Sequence, residues 1–207
     1  MAELTLYHAS PSRSSVVLWM LEELGEPYDI HLLSLSREEN RKPDYLAINP
    51  MGKVPALRHR DTVITELAAI CTYLADEFPN AKLNVPIGTP RRGVYLKWLF
   101  FGPGCLEPAV IDRMLKRDVS SQGALSYGDF DTTLDVVAKA VTPGPYLLGE
   151  QFTAADVVIG SGLRWAAYMK LIPERAELTA DLVRIGALEA LKRATAKDSE
   201  LAASLAA

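Results

Sequence analysis

The chain has 207 residues, 49% hydrophobic and 23% charged, which is enough to bury the core of one large or two small domains. Its formal net charge of −4 argues against a broad nucleic-acid-binding surface, because such surfaces are basic. Cys71 and Cys105 lack disulfide or zinc spacing, which favours a reducing, cytosolic setting. No signal peptide is recognisable, and no apolar run approaches the ~20 residues of a membrane span.

The first third of the chain alternates strand and helix patterns. The predicted elements are, in order, a strand at 3–9, a helix at 15–25, a strand at 28–35, a short helix or turn at 42–49, a hairpin with strands at 54–57 and 62–64, and a helix at 66–78. This β-α-β-α-β-β-α order is that of a thioredoxin-like domain, in which the parallel strands are joined by a right-handed crossover.

The rest of the chain has helical patterns throughout. A segment rich in proline and polar residues predicts a linker over 80–90. The first predicted helix after it is 91–101, which is interrupted at 102–104. Further helices are predicted at 108–116, 128–141, 154–169 and 180–195, before an alanine-rich tail that frays. We therefore predict an α+β protein of two domains, a thioredoxin-like α/β domain at 1–79 and an all-helical domain at 91–207.

A proline lies inside the strand-like segment 49–57. Because Pro55 cannot donate to a strand ladder, it needs either an edge position or a cis peptide bond after Val54. The cis form leaves the backbone amide and carbonyl before the proline facing outward, where an extended peptide ligand can pair with them. The alternative is a tight turn before an edge strand.

An acidic residue begins the predicted helix at 66–78. Thr65 is a candidate cap, and Glu66 lies in the first turn, where the helix dipole favours a carboxylate. In a functional interpretation, Glu66 or the nearby backbone amides receive an amino-acid-like group. The alternative is a well-capped structural helix.

The turn at 10–14 holds three serines before the first helix. A helix N-terminus stabilises an anion and lowers the pKa of a thiol docked there. A hydroxyl of Ser10, Ser12 or Ser14 can donate to such a thiolate, although at least one of them caps the helix. Arg13 either adds positive charge to this site or is simply solvated.

Two further groups have mainly structural interpretations. Thr153 and Asp156 have capping-box spacing, which nucleates a helix and carries no chemistry. His8 is assigned to the packing of the first strand, since the histidines share no metal or triad spacing. Trp98 and Phe101 belong mostly to the core, and part of this aromatic cluster can line an apolar substrate pocket.

Taken together, these segments resemble the glutathione S-transferases over nearly the whole chain. The run from Tyr7 to Gly25 resembles a bacterial, serine-like subgroup with a serine-arginine-serine turn before a tryptophan-leucine-leucine-glutamate-glutamate-leucine-glycine helix. Residues 49–57 resemble the family's asparagine-proline-x-glycine-x-valine-proline-alanine-leucine segment. Residues 152–156 resemble the capping box of its helical domain.

The resemblance implies a set of glutathione contacts. Pro55 is then cis, and Val54 pairs through its backbone with the cysteinyl unit of glutathione. Lys53 contacts the glycyl end, and Glu66 holds the γ-glutamyl end. Leu67 stands where the family usually has serine, so one hydroxyl contact is missing while the backbone amide is retained.

The resemblance also implies how the thiol is activated. The family uses a tyrosine, serine or cysteine near the first helix. Here Tyr7 lies within the predicted strand and the turn has no cysteine, so Ser10 and Ser12 are both candidates. Glutathione is then the co-substrate, and no other cofactor or metal is expected.

The implied function is a cytoplasmic, homodimeric transferase that conjugates the glutathione thiolate to a small hydrophobic electrophile, with neither nucleic acid nor membrane as a partner. One alternative is a glutathione-dependent disulfide reductase or peroxidase. A second is a non-catalytic interaction module on the same fold, since a fold does not fix a function.

Overall fold

A computed structural model of the chain describes residues 2–119 and 122–206. Contacts divide the chain into unit 1, Met1–Ala81 with Leu188–Ala207, and unit 2, Lys82–Ala187. This division differs from the predicted domains at the C-terminus, where residues 188–207 join unit 1. No helix within 2–119 or 122–206 is long and apolar enough to cross a membrane.

Unit 1 contains a mixed four-stranded sheet with the strand order β2-β1-β3-β4. Its elements are β1 (Leu4–His8), α1 (Ser14–Leu24), β2 (Tyr28–Leu32), α2 (Pro43–Leu46), β3 (Ala56–His59), β4 (Thr62–Thr65), α3 (Leu67–Glu77) and the C-terminal α9 (Glu189–Ala206). β1 runs parallel to β2 and antiparallel to β3, which is antiparallel to β4. The predicted thioredoxin-like order is confirmed.

The sequence explains the first β-α-β unit locally. β1 is a central strand, so its side chains are buried on both faces apart from Thr5. α1 ends at Gly25, which adopts φ 76° and donates its N–H to the Leu21 carbonyl. A left-handed residue after a helix favours glycine, which has no Cβ to clash. In α1 the side chains of Leu18, Trp19 and Leu21 are buried.

The C-terminal helix corrects the prediction of one helix at 180–195 followed by a fraying tail. The structure has α8 (Ala176–Gly186) and then α9, which continues to Ala206. Alanine has the highest helix propensity, and the small buried stripe of Ala190, Leu191 and Ala194 allows α9 to pack closely on α1. The C-terminal segment is therefore ordered by its packing on α1.

Charged side chains also link α9 to α1. Glu22 accepts hydrogen bonds from Lys197 at 2.6 Å, Arg193 at 2.8 Å and the Tyr28 hydroxyl at 2.5 Å. Burial opposes the ionisation of Glu22, but these donors outweigh it and lower its pKa to about 2. Lys197 contacts both Glu22 and Tyr28.

Unit 2 is helical among its described residues. Its helices are α4 (Arg91–Phe101), α5 (Glu107–Leu115), α6 (Phe130–Val141), α7 (Ala154–Tyr168) and α8. The predicted interruption at 102–104 is wrong, because a π-helical turn at Gly102–Leu106 connects α4 to α5 without a break. A Cβ on Gly102 would lie 2.5 Å from Val158 Cγ1, so glycine permits the close packing of this turn on α7.

The predicted capping box at the start of α7 is confirmed. The Asp156 carboxylate accepts from the Thr153 backbone N–H at 2.8 Å, the Thr153 hydroxyl at 2.9 Å and the Leu147 N–H at 2.8 Å. Asp156 is nearly inaccessible, and burial raises its pKa despite these donors. Each partner lies within nine residues of the aspartate, so this buried carboxylate serves the local fold.

Candidate active site

Strand register brings three predicted site segments to one edge of the unit 1 sheet. Ala56, the first residue of β3, pairs with Tyr7 near the end of β1 and with Thr65 at the end of β4. The turn that leaves β1, the segment that enters β3 and the start of α3 therefore emerge side by side. The candidate site is this edge, formed by residues 8–15, 51–55 and 65–67.

The first segment is the serine turn between β1 and α1. Ser14 is completely buried, and its Oγ accepts from the Ala9 N–H at 3.1 Å. Ser12 is half-buried, and its Oγ accepts from the Ser14 N–H at 3.1 Å and lies 2.7 Å from Ser14 Oγ. Ser14 therefore fixes the turn internally, while Ser12 lies nearer its surface.

A buried histidine and an aspartate from α9 extend this network. His8 has no exposed surface, and its Nδ1 lies 2.8 Å from Ser14 Oγ. Its Nε2 lies 2.8 Å from Asp198 Oδ1. The assignment of His8 to simple packing missed this network, because Asp198 lies 190 residues away on the segment expected to fray. The signal available in the sequence was a histidine two residues before a turn with three serines.

The same aspartate distinguishes the two candidate serines. Burial opposes the ionisation of Asp198, but hydrogen bonds from His8, Ser10 and Ser15 outweigh it and lower its pKa. The Ser15 hydroxyl donates to Asp198 Oδ2 at 2.9 Å. Ser10 is thus engaged by the carboxylate, whereas Ser12 forms the outer end of a line that runs from Asp198 through His8 and Ser14.

The second segment is held rigidly before β3. The Lys53 carbonyl accepts from the Tyr45 hydroxyl at 2.6 Å and from Asn49 Nδ2 at 2.7 Å. Asn40 Nδ2 donates to the Gly52 carbonyl at 2.8 Å. Burial raises the pKa of Tyr45 to about 12, so its hydroxyl stays protonated as a donor. Side chains from the preceding segment therefore fix the backbone at 52–53.

Val54 follows this fixed backbone. The Val54–Pro55 peptide bond is cis, as the sequence resemblance implies, and Pro55 is buried. Within the described part of the chain, neither the N–H nor the C=O of Val54 has a backbone hydrogen-bond partner. An extended ligand placed along Val54 can therefore use both groups.

The third segment is the start of α3. Glu66 is exposed and adopts φ 66° and ψ 119°, a conformation that side chains rarely occupy. Such backbone strain costs on the order of 1–3 kcal/mol and is concentrated at functional sites. Leu67 is the first residue of α3, so its N–H belongs to the first turn, where backbone amides lack intrahelical acceptors.

The other predicted site residues lie in different settings. Arg13 and Lys53 are exposed in unit 1, at the start of α1 and before β3. Trp98 and Phe101 lie on α4 of unit 2, with ring centroids 5.3 Å apart. Trp98 is almost fully buried and Phe101 is half-buried, so Phe101 has the more accessible ring.

The chemistry available at the edge is that of ligand binding and anion stabilisation. No group of three or more histidine, cysteine or acidic side chains in the described ranges is placed to hold a metal ion. The edge combines pairing groups on Val54, a carboxylate and helix start at Glu66 and Leu67, and a hydroxyl on Ser12. This combination suits a short peptide with a free α-amino and α-carboxyl group at one end and a side chain that can ionise to an anion.

Comparison with known proteins gives the same family from sequence and from structure. Residues 12–77 match the family model for the N-terminal domain of glutathione S-transferase. Glutathione S-transferase GstA of Escherichia coli O157:H7 is 30% identical over 153 residues, which cover 73% of this chain and 76% of that protein.

Solved structures extend the likeness over almost the whole chain. Glutathione transferase from Methylococcus capsulatus superimposes with a TM-score of 0.80 at 27% identity, covering 95% of this chain and 98% of that one. A glutathione transferase homologue from Sulfitobacter, solved with bound glutathione, gives a TM-score of 0.76 at 29% identity, covering 95% and 99%. The chain therefore belongs to the glutathione S-transferase family of enzymes.

Proposed function

We propose that unit 1 binds glutathione and that the protein transfers the glutathione thiolate to small hydrophobic electrophiles. The observation that carries this proposal is the convergence of the Val54 backbone, the Glu66–Leu67 helix start and the Ser12 hydroxyl at one sheet edge. Glutathione presents a peptide backbone, an amino-acid end and a thiol, which are the three groups that this edge suits.

Each part of glutathione has a matching group. The cysteinyl N–H and C=O pair with the backbone of Val54, in the manner of an added strand. The Glu66 carboxylate receives the γ-glutamyl ammonium group, and the Leu67 N–H donates to the γ-glutamyl carboxylate at the start of α3. The Lys53 ammonium group attracts the glycyl carboxylate. These contacts place the thiol toward the serine turn.

Ser12 then stabilises the thiolate. A free cysteine thiol has a pKa of roughly 8.5, so glutathione is mostly thiol at neutral pH. Lowering that pKa to about 6.5 requires about 2.7 kcal/mol of preference for the thiolate. A hydroxyl donor at the N-terminus of α1 supplies interactions of this size, and the positive charge of Arg13 adds to them.

The electrophile requires an apolar surface. We propose that Trp98 and Phe101 contribute to it, because they form an aromatic pair and the ring of Phe101 is partly accessible. Holding both reactants in one geometry lowers the entropic part of the barrier. We also propose that the protein is a cytosolic homodimer. Light scattering of the purified protein tests the dimer, because it measures the molecular mass in solution.

The cysteines do not favour a thiol-exchange function for the protein itself. Burial raises the pKa of the Cys71 thiol to about 12, and burial also raises the pKa of Cys105. Since the thiolate is the reactive form, neither side chain is activated. The thiol chemistry that we propose therefore depends on bound glutathione and not on the protein's own cysteines.

Calorimetric titration with reduced glutathione, followed by turnover with 1-chloro-2,4-dinitrobenzene, tests this proposal. We expect binding with a dissociation constant below about 1 mM, which corresponds to about −4 kcal/mol, and measurable conjugation. Glu66→Gln should weaken binding about tenfold, the value of one charged hydrogen bond. Glu174→Gln, at an exposed glutamate of unit 2, is the matched control. Absence of both heat and turnover would instead support a non-catalytic interaction module.

A further inference from the structure

We propose that Ser14, His8 and Asp198 form a proton relay that withdraws the glutathione thiol proton through Ser12 and turns the Ser12 hydroxyl toward the resulting thiolate. This inference rests on the proposed function, since it needs a thiol beside Ser12. It assigns His8, Ser14 and Asp198 as positioning residues for the reaction.

The relay is a continuous line of short contacts. Ser12 Oγ lies 2.7 Å from Ser14 Oγ, which lies 2.8 Å from His8 Nδ1. His8 Nε2 lies 2.8 Å from Asp198 Oδ1. Ser14 and His8 are fully buried, while Ser12 is half-buried. Asp198 is also partly exposed, so water reaches the line at its Ser12 and Asp198 ends but not at Ser14 or His8.

The carboxylate determines the resting tautomer of His8. Asp198 is held ionised by its donors and can only accept, so the facing Nε2 must carry a proton. In the neutral ring Nδ1 is then an acceptor. The Ser14 hydroxyl donates to it, and Ser14 Oγ in turn accepts from the Ala9 N–H and from the Ser12 hydroxyl. The Ala9 carbonyl, at 3.1 Å, is the more distant acceptor for the Ser14 proton.

In this resting state the proton of Ser12 points inward. Its Oγ accepts from the Ser14 N–H and retains a second lone pair for an incoming S–H donor. Ser12 is thus arranged to receive a proton and cannot at the same time donate to a thiolate.

The transfer moves one net proton from the thiol sulfur to His8 Nδ1, so one S–H bond is lost, one N–H bond is gained and both serine O–H bonds are restored. The S–H bond of glutathione breaks and its proton goes to Ser12 Oγ, the original Ser12 proton goes to Ser14 Oγ, and the original Ser14 proton goes to His8 Nδ1. The products are a thiolate, two intact hydroxyls and an imidazolium paired with the Asp198 carboxylate. No electrons leave the thiol, so no oxidant is required.

After the transfer every donor along the line points outward. His8 Nδ1–H now donates to Ser14 Oγ, and the Ser14 hydroxyl donates to Ser12 Oγ. Ser12 Oγ, which also accepts from the Ser14 N–H, has both lone pairs occupied, so its proton is available to the thiolate. The same event thus creates the anion and the donor that stabilises it.

Among the described residues, the groups placed around His8 come from α9, α1 and β2. α9 contributes Asp198, and Lys197 beside it is hydrogen-bonded to Glu22 and Tyr28. α1 contributes the hydroxyls of Ser14 and Ser15, and β2 places Leu32 in register with His8. Asp198 is therefore the charged group that stabilises the imidazolium.

The titration of bound glutathione, followed by the ultraviolet absorbance of the thiolate, tests the relay. We expect Asp198→Asn and Ser14→Ala to raise the midpoint of this titration by about one pH unit, since each removes one link. kcat near pH 6.5 should fall about fivefold, as the thiolate fraction falls, while KM for glutathione stays within about twofold. Asp198→Glu should recover part of the lost rate.

Glu22→Gln is the matched control, because it weakens the same α1–α9 contact without touching the relay. It should lower the melting temperature and leave the thiolate midpoint unchanged.

The relay is overturned if the thiol midpoint in Asp198→Asn and in Ser14→Ala equals that of the wild type while the midpoint in Ser12→Ala does not. The proposed function then stands. Should Asp198→Asn not fold, Ser14→Ala decides. If the wild type shows no bound thiolate at any pH, the proposed function itself fails.

Discussion

Two hydrogen-bond networks centred on an aspartate, one in each unit, differ in how they end. In unit 2, Asp156 accepts from two backbone amides and one hydroxyl within a short stretch, so its network closes on itself. In unit 1, Asp198 begins a line through His8 and Ser14 that ends at the half-buried hydroxyl of Ser12. The closed network organises a helix start, whereas we propose that the open one presents the Ser12 hydroxyl to a ligand.

The difference shows why buried polar residues need to be followed to their ends. Both networks involve a hydroxyl and a carboxylate, and burial opposes ionisation at both aspartates. The local donors do not overcome that effect at Asp156, whose pKa is raised, but they do at Asp198, whose pKa is lowered. We therefore expect substitutions in the first network to affect stability and substitutions in the second to affect activity.

Breaking the closed network should have the largest effect. Asp156→Ala removes the acceptor for two backbone amides and a hydroxyl, so the free energy of unfolding should fall by about 3 kcal/mol. Asp129→Ala, at the N-cap of α6, is the matched control and should cost about 1 kcal/mol. Urea unfolding measures both. A loss for Asp156→Ala no greater than that of the control would contradict the structural role.

Breaking the open network should mainly affect the rate. Ser12→Ala should lower kcat/KM for conjugation about 100-fold, or about 2.7 kcal/mol, because it removes the donor to the thiolate. Its stability should change by less than about 1 kcal/mol. Ser10→Ala, which loses a hydrogen bond to Asp198, should have a smaller kinetic effect. A larger loss for Ser10→Ala would reverse the assignment of the two serines.

A third carboxylate, Asp181, makes the free energy of unfolding depend on pH. Burial raises the pKa of Asp181 to about 6, Arg184 opposes this, and the charge of Asp156 adds to it. The unfolded value is about 3.9, so the folded state binds the proton more tightly and stability falls as pH rises from about 4 to about 6. Asp181→Asn cannot ionise and should gain about 2 kcal/mol over the wild type at neutral pH.

Urea unfolding of the wild type and Asp181→Asn at about pH 4 and about pH 7.5 measures this difference. The two proteins should converge at the lower pH, where Asp181 is protonated. An equal difference at both pH values would show that Asp181 does not titrate in this range.

The smallest expected effect concerns the glutathione site. Leu67→Ser restores the residue that the family usually has and adds one hydroxyl to the start of α3. A neutral hydrogen bond contributes about 1 kcal/mol, so glutathione should bind a few-fold more tightly. Calorimetry measures the change, and Leu67→Ala separates it from the effect of removing the larger side chain. Equal affinities for the serine and alanine variants would show that the hydroxyl makes no contact.

Local patterns predicted much of this molecule. The order of strands and helices along unit 1 follows from alternation and turns, the cis bond at Pro55 from the family segment, and the start of α7 from the spacing of Thr153 and Asp156. These features depend on residues close in sequence. The π-helical turn at Gly102–Leu106 was missed because Gly-Pro-Gly usually ends a helix, and tight packing on α7 offsets that preference here.

The association of α9 with α1 was not predictable in the same way. The contacts that hold α9 join residues far apart in the sequence, and His8 and Asp198 are 190 positions apart. Without that contact Ser10 and Ser12 are equivalent candidates. The choice of Ser12 therefore comes from tertiary packing.

The most direct measurement is the pH titration of the glutathione thiol in complex with the wild-type protein, from about pH 5 to about pH 9 by ultraviolet absorbance. The account predicts a midpoint about two units below the value of roughly 8.5 for a free thiol. A bound thiol that titrates at the free value would contradict the central claim that this sheet edge binds and activates glutathione.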